Sequence, residues 1–141
     1  MTKVSFLFGT ADRREAATTW LAGAYRQNQS VVVFQPDSEK LAALDRWLWS
    51  HPATGFLPHC AINAPQAEQT PIVLAQSLDS SLHDQCLLNL SDDIPQGFTR
   101  FSELIEIISD DEETRLAGRE RFRYYRDRGY AIQSVSLNTQ D

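Results

Sequence analysis

Apolar and polar positions in the first half of the chain alternate between the period of a β-strand and that of an α-helix. Residues 3–8 alternate weakly, which is typical of a strand. Residues 13–28 carry apolar side chains at every third or fourth position, which predicts a helix capped by Asp12 or Thr10. The β-branched run at 30–34 predicts a second strand.

A second helix and three extended segments are predicted next. The helix starts at Pro36 and ends before Pro52. The segment Phe56–Cys60 is extended but contains Pro58, which predicts an edge strand or a turn beside one. A polar loop at 61–70 separates it from two apolar runs of strand length. These runs are Pro71–Ala75 and Cys86–Leu90.

The remainder of the chain is predicted to be helical from about Phe101 to Gly129, with a break near Ser109. Strands that alternate with helices predict an α/β fold with a mainly parallel sheet flanked by helices. With 141 residues and 42% hydrophobic content, we expect residues 1–141 to form a single domain with a substantial core.

The composition also bears on the compartment. No apolar run approaches the about 20 residues that a membrane span needs, and the N-terminus lacks the pattern of a signal peptide. Cys60 and Cys86 lie far apart without a C-x-x-C spacing, so we expect buried free thiols rather than a disulfide or a metal pair. The sequence therefore predicts a cytoplasmic protein.

The residues that would carry catalysis or bind a cofactor are absent from their expected places. The turn after the first strand has one glycine, Gly9, with neither a G-x-G-x-x-G nor a Walker motif, so it would not cradle a pyrophosphate. Histidines 51, 59 and 83 have no metal-ligand spacing. Cys60 follows His59, but adjacent strand residues point to opposite faces. We predict no catalytic residue, no cofactor and no metal.

A block of arginines interleaved with aromatic residues stands out near the C-terminus of a chain whose net charge is -6. Between Arg115 and Arg128 there are six arginines against two acidic residues, a local charge of +4. On a helix, four of the arginines fall within an arc of roughly 80°, bordered by Phe122 and Leu116. The four are Arg115, Arg119, Arg123 and Arg126.

Two interpretations of this basic arc stay open from the charge pattern. The arc is either a solvated face, paired with the acidic block at 103–113 or with Glu120 and Asp127, or a binding surface for an anionic partner. Arginine favours the second interpretation, because a planar guanidinium forks onto carboxylates and stacks on aromatic rings. Trp49 lies about 100° from the leucine stripe of its helix; it either covers a neighbouring loop or anchors a partner.

Two long stretches of the sequence resemble the chi subunit of the bacterial DNA polymerase III holoenzyme. Residues 44–59 read Leu-Asp-Arg-Trp-Leu-Trp-Ser-His-Pro-Ala-Thr-Gly-Phe-Leu-Pro-His, which is similar to the chi signature. Phe101-Ser-Glu-Leu-Ile-Glu and, further on, Arg119-Glu-Arg-Phe-Arg-Tyr-Tyr-Arg-Asp-Arg-Gly-Tyr resemble the chi C-terminal region. The resemblance implies an α/β Rossmann-like fold without a nucleotide site and a non-catalytic accessory role in replication.

The resemblance also implies two binding surfaces. One binds the acidic C-terminal tail of single-stranded DNA-binding protein, and the other binds the psi subunit, which links chi to the clamp loader. The family often has Tyr and Lys where this chain has Phe122 and Arg123. The implied tail residues are Arg119, Phe122, Arg123, Trp49 and Ile108; the implied psi residues are Phe56, Leu57 and Pro58.

Two rival functions follow from the residues alone. The arginines and aromatic rings of the C-terminal helix could bind single-stranded nucleic acid directly, since such sites combine cations with stacking. The acidic net charge opposes this and predicts little direct nucleic-acid binding. A nucleotide-dependent enzyme or hydrolase on the α/β scaffold would require the motifs that are absent from this sequence.

Overall fold

The computed structural model describes residues 1–50, 57–79 and 83–137. Within these ranges, strands and helices follow one another in an α/β arrangement, with short 3-10 turns at Ala67–Gln69 and Phe98–Arg100. In chain order the elements are β1 (Lys3–Thr10), α1 (Arg13–Arg26), β2 (Val31–Phe34), α2 (Ser38–Ser50), β3 (His59–Ala61), β4 (Ile72–Ala75), β5 (Cys86–Asn89), β6 (Glu103–Ser109), α3 (Glu112–Asp127) and β7 (Ile132–Ser136).

The strands of the described residues form one sheet in the order β3-β4-β2-β5-β6-β1-β7. Every pairing between neighbouring strands is parallel, from β3 with β4 at one edge to β1 with β7 at the other. The central strands are short, apolar and buried on both sides, as expected for a parallel sheet covered by helices. The predicted α/β fold with a parallel sheet flanked by helices is therefore confirmed.

The helices cover the two faces of the sheet unequally. Ala17 and Leu21 of α1 and Leu44 and Leu48 of α2 pack in one buried cluster with Val33 and other residues from one face of the sheet. The residues of β1, β2 and β6 that point the other way form a second cluster, which Tyr125 of α3 completes. Helix α3 thus lies alone among the described helices on its face, over the β6 and β1 end of the sheet.

An aspartate caps the N-terminus of each of the three α-helices in the described residues. Asp12 accepts hydrogen bonds from the first-turn amides of α1, as one of the two predicted caps, and Asp37 does the same for α2. Asp111 caps α3 through the Thr114 amide. Hydrogen bonds from Ser109 and Thr114 lower the pKa of the Asp111 carboxyl to about 2. Each cap fixes a helix at the carboxyl end of a strand.

The prediction of helix from Phe101 to Gly129 is wrong in its first third. Residues Glu103–Ser109 are strand β6, the buried partner of both β1 and β5. Glu106 interrupts an otherwise apolar run and gives the segment a misleading helical period. The strand β7 was also missed, because four of its five residues are polar or exposed. The helix itself, Glu112–Asp127, lies where the arginine block predicts it.

The segment predicted to be extended, Phe56–Cys60, overlaps a strand only at its last two residues. The strand β3 occupies His59–Ala61, and it lies at an edge of the sheet as Pro58 predicts. Phe56 lies outside the described residues. Both Cys60 and Cys86 are buried free thiols, as predicted, and burial raises the pKa of the Cys86 thiol to about 12.

A buried ion pair ties α3 to the sheet. Arg121 and Glu106 are almost entirely buried, with side chains 2% and 0% exposed. The Arg121 Nε donates to Glu106 Oε1 at 3.1 Å, and the other carboxylate oxygen accepts from Tyr125 at 2.7 Å and from the Asn89 amide at 3.0 Å. Burial, and then the neighbouring carboxylate, raise the pKa of the Tyr125 phenol. One carboxylate therefore joins β5, β6 and α3.

We expect Glu106→Gln to lower the free energy of unfolding by about 3–5 kcal/mol, because it leaves the Arg121 guanidinium buried without a counter-charge. Adding Arg121→Met should recover most of that loss, since it removes the orphaned charge. Urea unfolding followed by circular dichroism measures both variants. Glu103→Gln, on the same strand but only half-buried, is the matched control and should change stability by no more than about 0.5 kcal/mol. A small loss for Glu106→Gln would contradict the role of this pair.

Candidate functional site

The basic arc of α3 faces solvent. The side chains of Arg115, Arg119, Arg123 and Arg126 are all exposed, while the opposite side of the helix is buried against the sheet. Of the six arginines in the block, Arg121 alone turns inward. The inward stripe runs through Thr114, Gly118, Arg121 and Tyr125.

A groove of about 260 Å³ lies between α3 and the carboxyl ends of β1, β6 and β7. Phe6 and Ile108 line it from the sheet, and Phe122 lines it from the helix, with its ring 5.3 Å from that of Phe6. Phe8, which is 43% exposed, extends the apolar surface outward. The groove therefore offers an aromatic lining that a side chain from solvent can reach.

Two arginines stand at the rim of this groove. Arg115 and Arg119 both line it and also line a shallow adjoining hollow with Leu116, which is half exposed. Neither arginine has a salt bridge within the described part of the chain, although Asp110 also lines the groove. The rim thus presents two guanidinium groups beside an apolar pocket, which suits a partner that carries both carboxylates and a bulky side chain.

The remaining arginines of the arc are engaged locally. Arg123 pairs with Glu120 at 3.2 Å, and Arg126 pairs with Asp127 at 3.1 Å, both at exposed positions. These pairs are part of the solvated-face interpretation. Two members of the acidic block at 103–113 do not face the arc, because Glu106 is buried against Arg121 and Asp111 caps α3, whereas Asp110 and Glu112 line the hollow beside Arg115 and Arg119.

A glycine lets α3 approach the floor of the groove. A Cβ at Gly118 would lie 2.7 Å from Ile108 Cδ1 and 3.3 Å from its Cγ1, closer than side chains normally pack. The helix backbone therefore rests directly on Ile108, which fixes the depth of the groove. Gly118, Phe6 and Arg115 were not among the residues that sequence reasoning assigned to this site. The spacing of Thr114, Gly118, Arg121 and Tyr125, three or four residues apart, is the signal that could have identified Gly118 as a residue of the buried face.

The structure brings together three of the five residues that the resemblance assigns to tail binding. Arg119, Phe122 and Ile108 all line the groove, whereas Arg123 does not. Trp49 is not brought to the groove either: it lies on α2, across the sheet, and its ring packs on His59 of β3 at 4.6 Å. Trp49 is therefore not a neighbour of the groove, contrary to the position expected for it, and its part in tail binding stays a prediction. Its side chain is 56% exposed at the far edge of the sheet.

Two of the residues assigned to psi binding, Leu57 and Pro58, lie in the described part of the chain just before β3. Pro58 is half-buried, and Leu57 is only 2% exposed within the cluster that also holds Leu44 and Leu48. Leu57 therefore packs in the core and leaves little surface for a direct contact, and its assignment to psi binding stays a prediction. Phe56 lies outside the described residues.

A second cavity lies where dinucleotide-binding folds hold phosphate. This crevice of about 610 Å³ is at the carboxyl ends of β1, β2, β5 and β6, where the strand order reverses. Its helix N-termini are already occupied by the carboxylates of Asp12 and Asp37. Asp92 and Asp93 add further negative charge to its lining. The lining also contains Arg13, Arg14 and Lys40, so the crevice carries both signs of charge, and the first-turn amides that Asp12 and Asp37 cap are not free for a phosphate.

Arg13 is a partly buried cation of this crevice, and it donates its hydrogen bonds to groups within the fold. Its guanidinium donates to the Ile107 and Ser91 carbonyls and to Asp92. Burial and the neighbouring Arg121 charge lower the pKa of Arg13. It ties α1 to the loop after β5, which leaves it committed to the fold. In the part of the chain that the structure describes, no three His, Cys, Asp or Glu residues are placed to hold a metal ion.

Comparison with known proteins assigns a family. The model of the family described as "DNA polymerase III chi subunit, HolC" matches residues 1–133. The chain is 31% identical to the DNA polymerase III subunit chi of Pseudomonas aeruginosa, over 97% of this chain and 98% of that protein. It is 26% identical to the subunit chi of Escherichia coli, over 82% of this chain and 79% of that protein. None of the described helices is long and apolar enough to span a membrane.

We expect Gly118→Ala to lower the free energy of unfolding, although alanine favours a helix by about 1 kcal/mol, because overpacking against Ile108 costs about 1–3 kcal/mol. Ile108→Val removes the Cδ1 atom that the new methyl group meets, so the double variant should be more stable than Gly118→Ala alone. Gly23→Ala is the matched control: nothing lies within 4 Å of its Cβ, and the variant should be stabilised. Thermal unfolding of the wild type and of the three variants checks these expectations. Stabilisation by Gly118→Ala would show that α3 does not rest on Ile108.

Proposed function

The chain belongs to the DNA polymerase III chi subunit family, and on this basis we propose that it links single-stranded DNA-binding protein to the polymerase holoenzyme. As a chi subunit it is an accessory subunit in DNA replication. We propose that the groove beside α3 captures the acidic C-terminal tail of single-stranded DNA-binding protein, and that a separate surface binds the psi subunit of the clamp loader. In this proposal the chain contributes binding and no catalysis.

The observation that carries the tail proposal is the pairing of Arg119 with an apolar groove. A chain terminus that is acidic and ends in a bulky apolar residue needs cations for its carboxylates and a dry surface for its last side chain. Arg119 and Arg115 supply the cations, and Phe122 and Ile108 supply part of the dry surface. Charge-assisted hydrogen bonds at the edge of a desolvated pocket are stronger than those between neutral groups.

Arg123 has a lesser role in this proposal than the resemblance assigns to it. It lies outside the groove and must leave its exposed pair with Glu120 before it can bind a carboxylate. Exposed ion pairs of this kind contribute little to stability, typically about 0–1 kcal/mol. Exchanging Glu120 for a carboxylate of the tail therefore costs little free energy. Arg123 therefore serves the part of the tail that precedes the pocket and adds to the positive field around it.

We expect Arg119→Ala to weaken binding of the tail peptide by about 1–3 kcal/mol, because the peptide loses a charge-assisted contact at the pocket. Arg115→Ala should weaken it measurably, Arg123→Ala less, and Arg126→Ala least. Isothermal titration of each variant with the tail peptide of single-stranded DNA-binding protein gives the affinities. A peptide that lacks its last residue is the matched control for the apolar contact and should bind weakly to every variant.

Equal losses from all four arginine variants would mean diffuse electrostatic attraction rather than a pocket. The same titrations with a single-stranded oligonucleotide separate this function from direct nucleic-acid binding. That alternative has one observation in its favour: the Arg128 guanidinium stacks over the Tyr124 ring at 3.6 Å, on an exposed part of α3. Oligonucleotide binding that is stronger than peptide binding, and lost in Arg128→Ala, would replace the tail proposal.

The second surface is proposed at the β3 edge of the sheet. The resemblance points to Phe56 and Pro58, and Trp49 lies nearby with its ring against His59. Large aromatic side chains at a protein surface are frequent anchors of binding partners. Because α2 and α3 cover opposite faces, and β3 and β7 are opposite edges of the sheet, the two surfaces do not overlap. Both partners can therefore be held at once, as a bridging subunit requires.

We expect Trp49→Ala to weaken psi binding by about 2 kcal/mol or more while leaving tail-peptide affinity unchanged, because an aromatic anchor is removed from one surface only. Leu57→Ala should instead lower the free energy of unfolding by about 2–5 kcal/mol, as for other buried leucines. Co-purification with psi, peptide titration and thermal unfolding separate these effects. Undiminished psi binding by a folded Trp49→Ala protein would remove Trp49 from the surface.

A further inference from the structure

In the described part of the chain, the edge of the sheet next to the groove has no further strand paired with it. The strand β7 (Ile132–Ser136) pairs with β1 on one side, and no strand of the described residues pairs with its other side. Its sequence, Ile-Gln-Ser-Val-Ser, contains neither a charge nor a proline. Natural sheets usually protect an exposed edge with such residues, because an open edge accepts another strand.

The register of β7 shows which backbone groups face outward. The Ala131 carbonyl accepts from the Val4 amide, and the Leu137 amide donates to the Phe8 carbonyl. Odd-numbered residues of β7 therefore direct their backbone groups to β1. In a strand the N–H and C=O of one residue point to the same side and alternate along the chain. The amide and carbonyl of Ser134 consequently point to the open edge.

Grooves flank this edge on both faces of the sheet. On the α3 face, Ser134 is a wall of the groove that holds Phe6 and Phe122, and its small side chain leaves that groove open toward the edge. On the α1 face, Leu137, which is 40% exposed, lines a groove of about 350 Å³ with Trp20. A strand added to β7 would direct alternate side chains into these two grooves.

Charge decides between two possible occupants of the edge. Two copies joined through their β7 edges would pair antiparallel about a two-fold axis normal to the sheet, which puts both α3 helices on the same face. Their arginine arcs would then flank the same junction and repel each other. An acidic segment instead brings carboxylates to Arg115 and Arg119, at the rim of the same groove.

We propose that the acidic tail binds this chain as an added β-strand along the open edge of β7. The proposal rests on the function proposed above and specifies how the tail is held. The backbone of the tail pairs with the outward amide and carbonyl of Ser134, which fixes its register. Its apolar side chain crosses Ser134 to reach Phe6 and Phe122, and its carboxylates lie against Arg119. Backbone pairing supplies affinity, and the two grooves supply specificity.

The test uses the full chain and the tail peptide of single-stranded DNA-binding protein. Ser134→Pro removes an outward amide and none that faces β1, so the β1–β7 ladder is retained, and we expect tail affinity to fall by about tenfold, as for one lost backbone hydrogen bond. Ser134→Val keeps the amide and has about the bulk of a proline ring at the groove wall, so it is the matched control and should bind more tightly than Ser134→Pro. Peptides N-methylated at one position at a time, titrated into the wild-type chain, should lose affinity at alternate positions.

The outcomes separate this mode of binding from the proposed function itself. If Arg119→Ala weakens binding but N-methylation has no two-residue period, the tail function stands and strand addition is wrong. If the wild-type chain does not bind the tail, both proposals fail. The N-methylated series decides the matter on its own if Ser134→Pro does not fold. A dimer of the free chain that Ser134→Pro dissociates would assign the edge to a second copy instead.

Discussion

The carboxylate of Glu106 is the interaction on which this architecture depends. It lies in the middle of a buried strand and accepts hydrogen bonds from Arg121, Tyr125 and Asn89, so that β5, β6 and α3 share one charge. Helix α3 has little apolar surface of its own and few buried residues. A buried ion pair that must be matched specifies position more than it adds stability. Here it sets the rotation of α3, which points the remaining arginines outward.

The two faces of the sheet differ in what covers them. The α1 and α2 face is conventional, with apolar stripes packed on apolar strands, and Arg13 fastens α1 to the loop after β5. In the crevice at the strand ends, the first-turn amides of α1 and α2 are capped by Asp12 and Asp37. The α3 face has a groove between helix and sheet instead of a nucleotide site. The proposed peptide site therefore lies at the margin of a scaffold that binds cofactors at its strand ends in other α/β proteins.

Sequence reasoning predicted the fold class and the first five strands because their apolar runs are short, β-branched and bounded by turn residues. It misassigned Glu103–Ser109 because one glutamate among isoleucines resembles a helical polar position, and only its distant partner Arg121 makes a buried strand possible. It identified Arg119, Phe122 and Ile108 as neighbours through family resemblance. It could not identify Phe6 or Ser134, since their approach to α3 depends on the parallel register of β1 with β6 and β7.

The arrangement of the sheet would have a mechanical consequence if both proposed surfaces held partners. The groove lies toward the β7 edge and Trp49 lies at the β3 edge, with all the intervening strands between them. A pull between the partners would act across the strands, along the direction of the interstrand hydrogen bonds, and would load those bonds one ladder at a time. The strand pairs would be peeled apart rather than sheared. Such a tether would give way under tension sooner than one pulled along its strands, so the link could yield before the partners themselves are distorted.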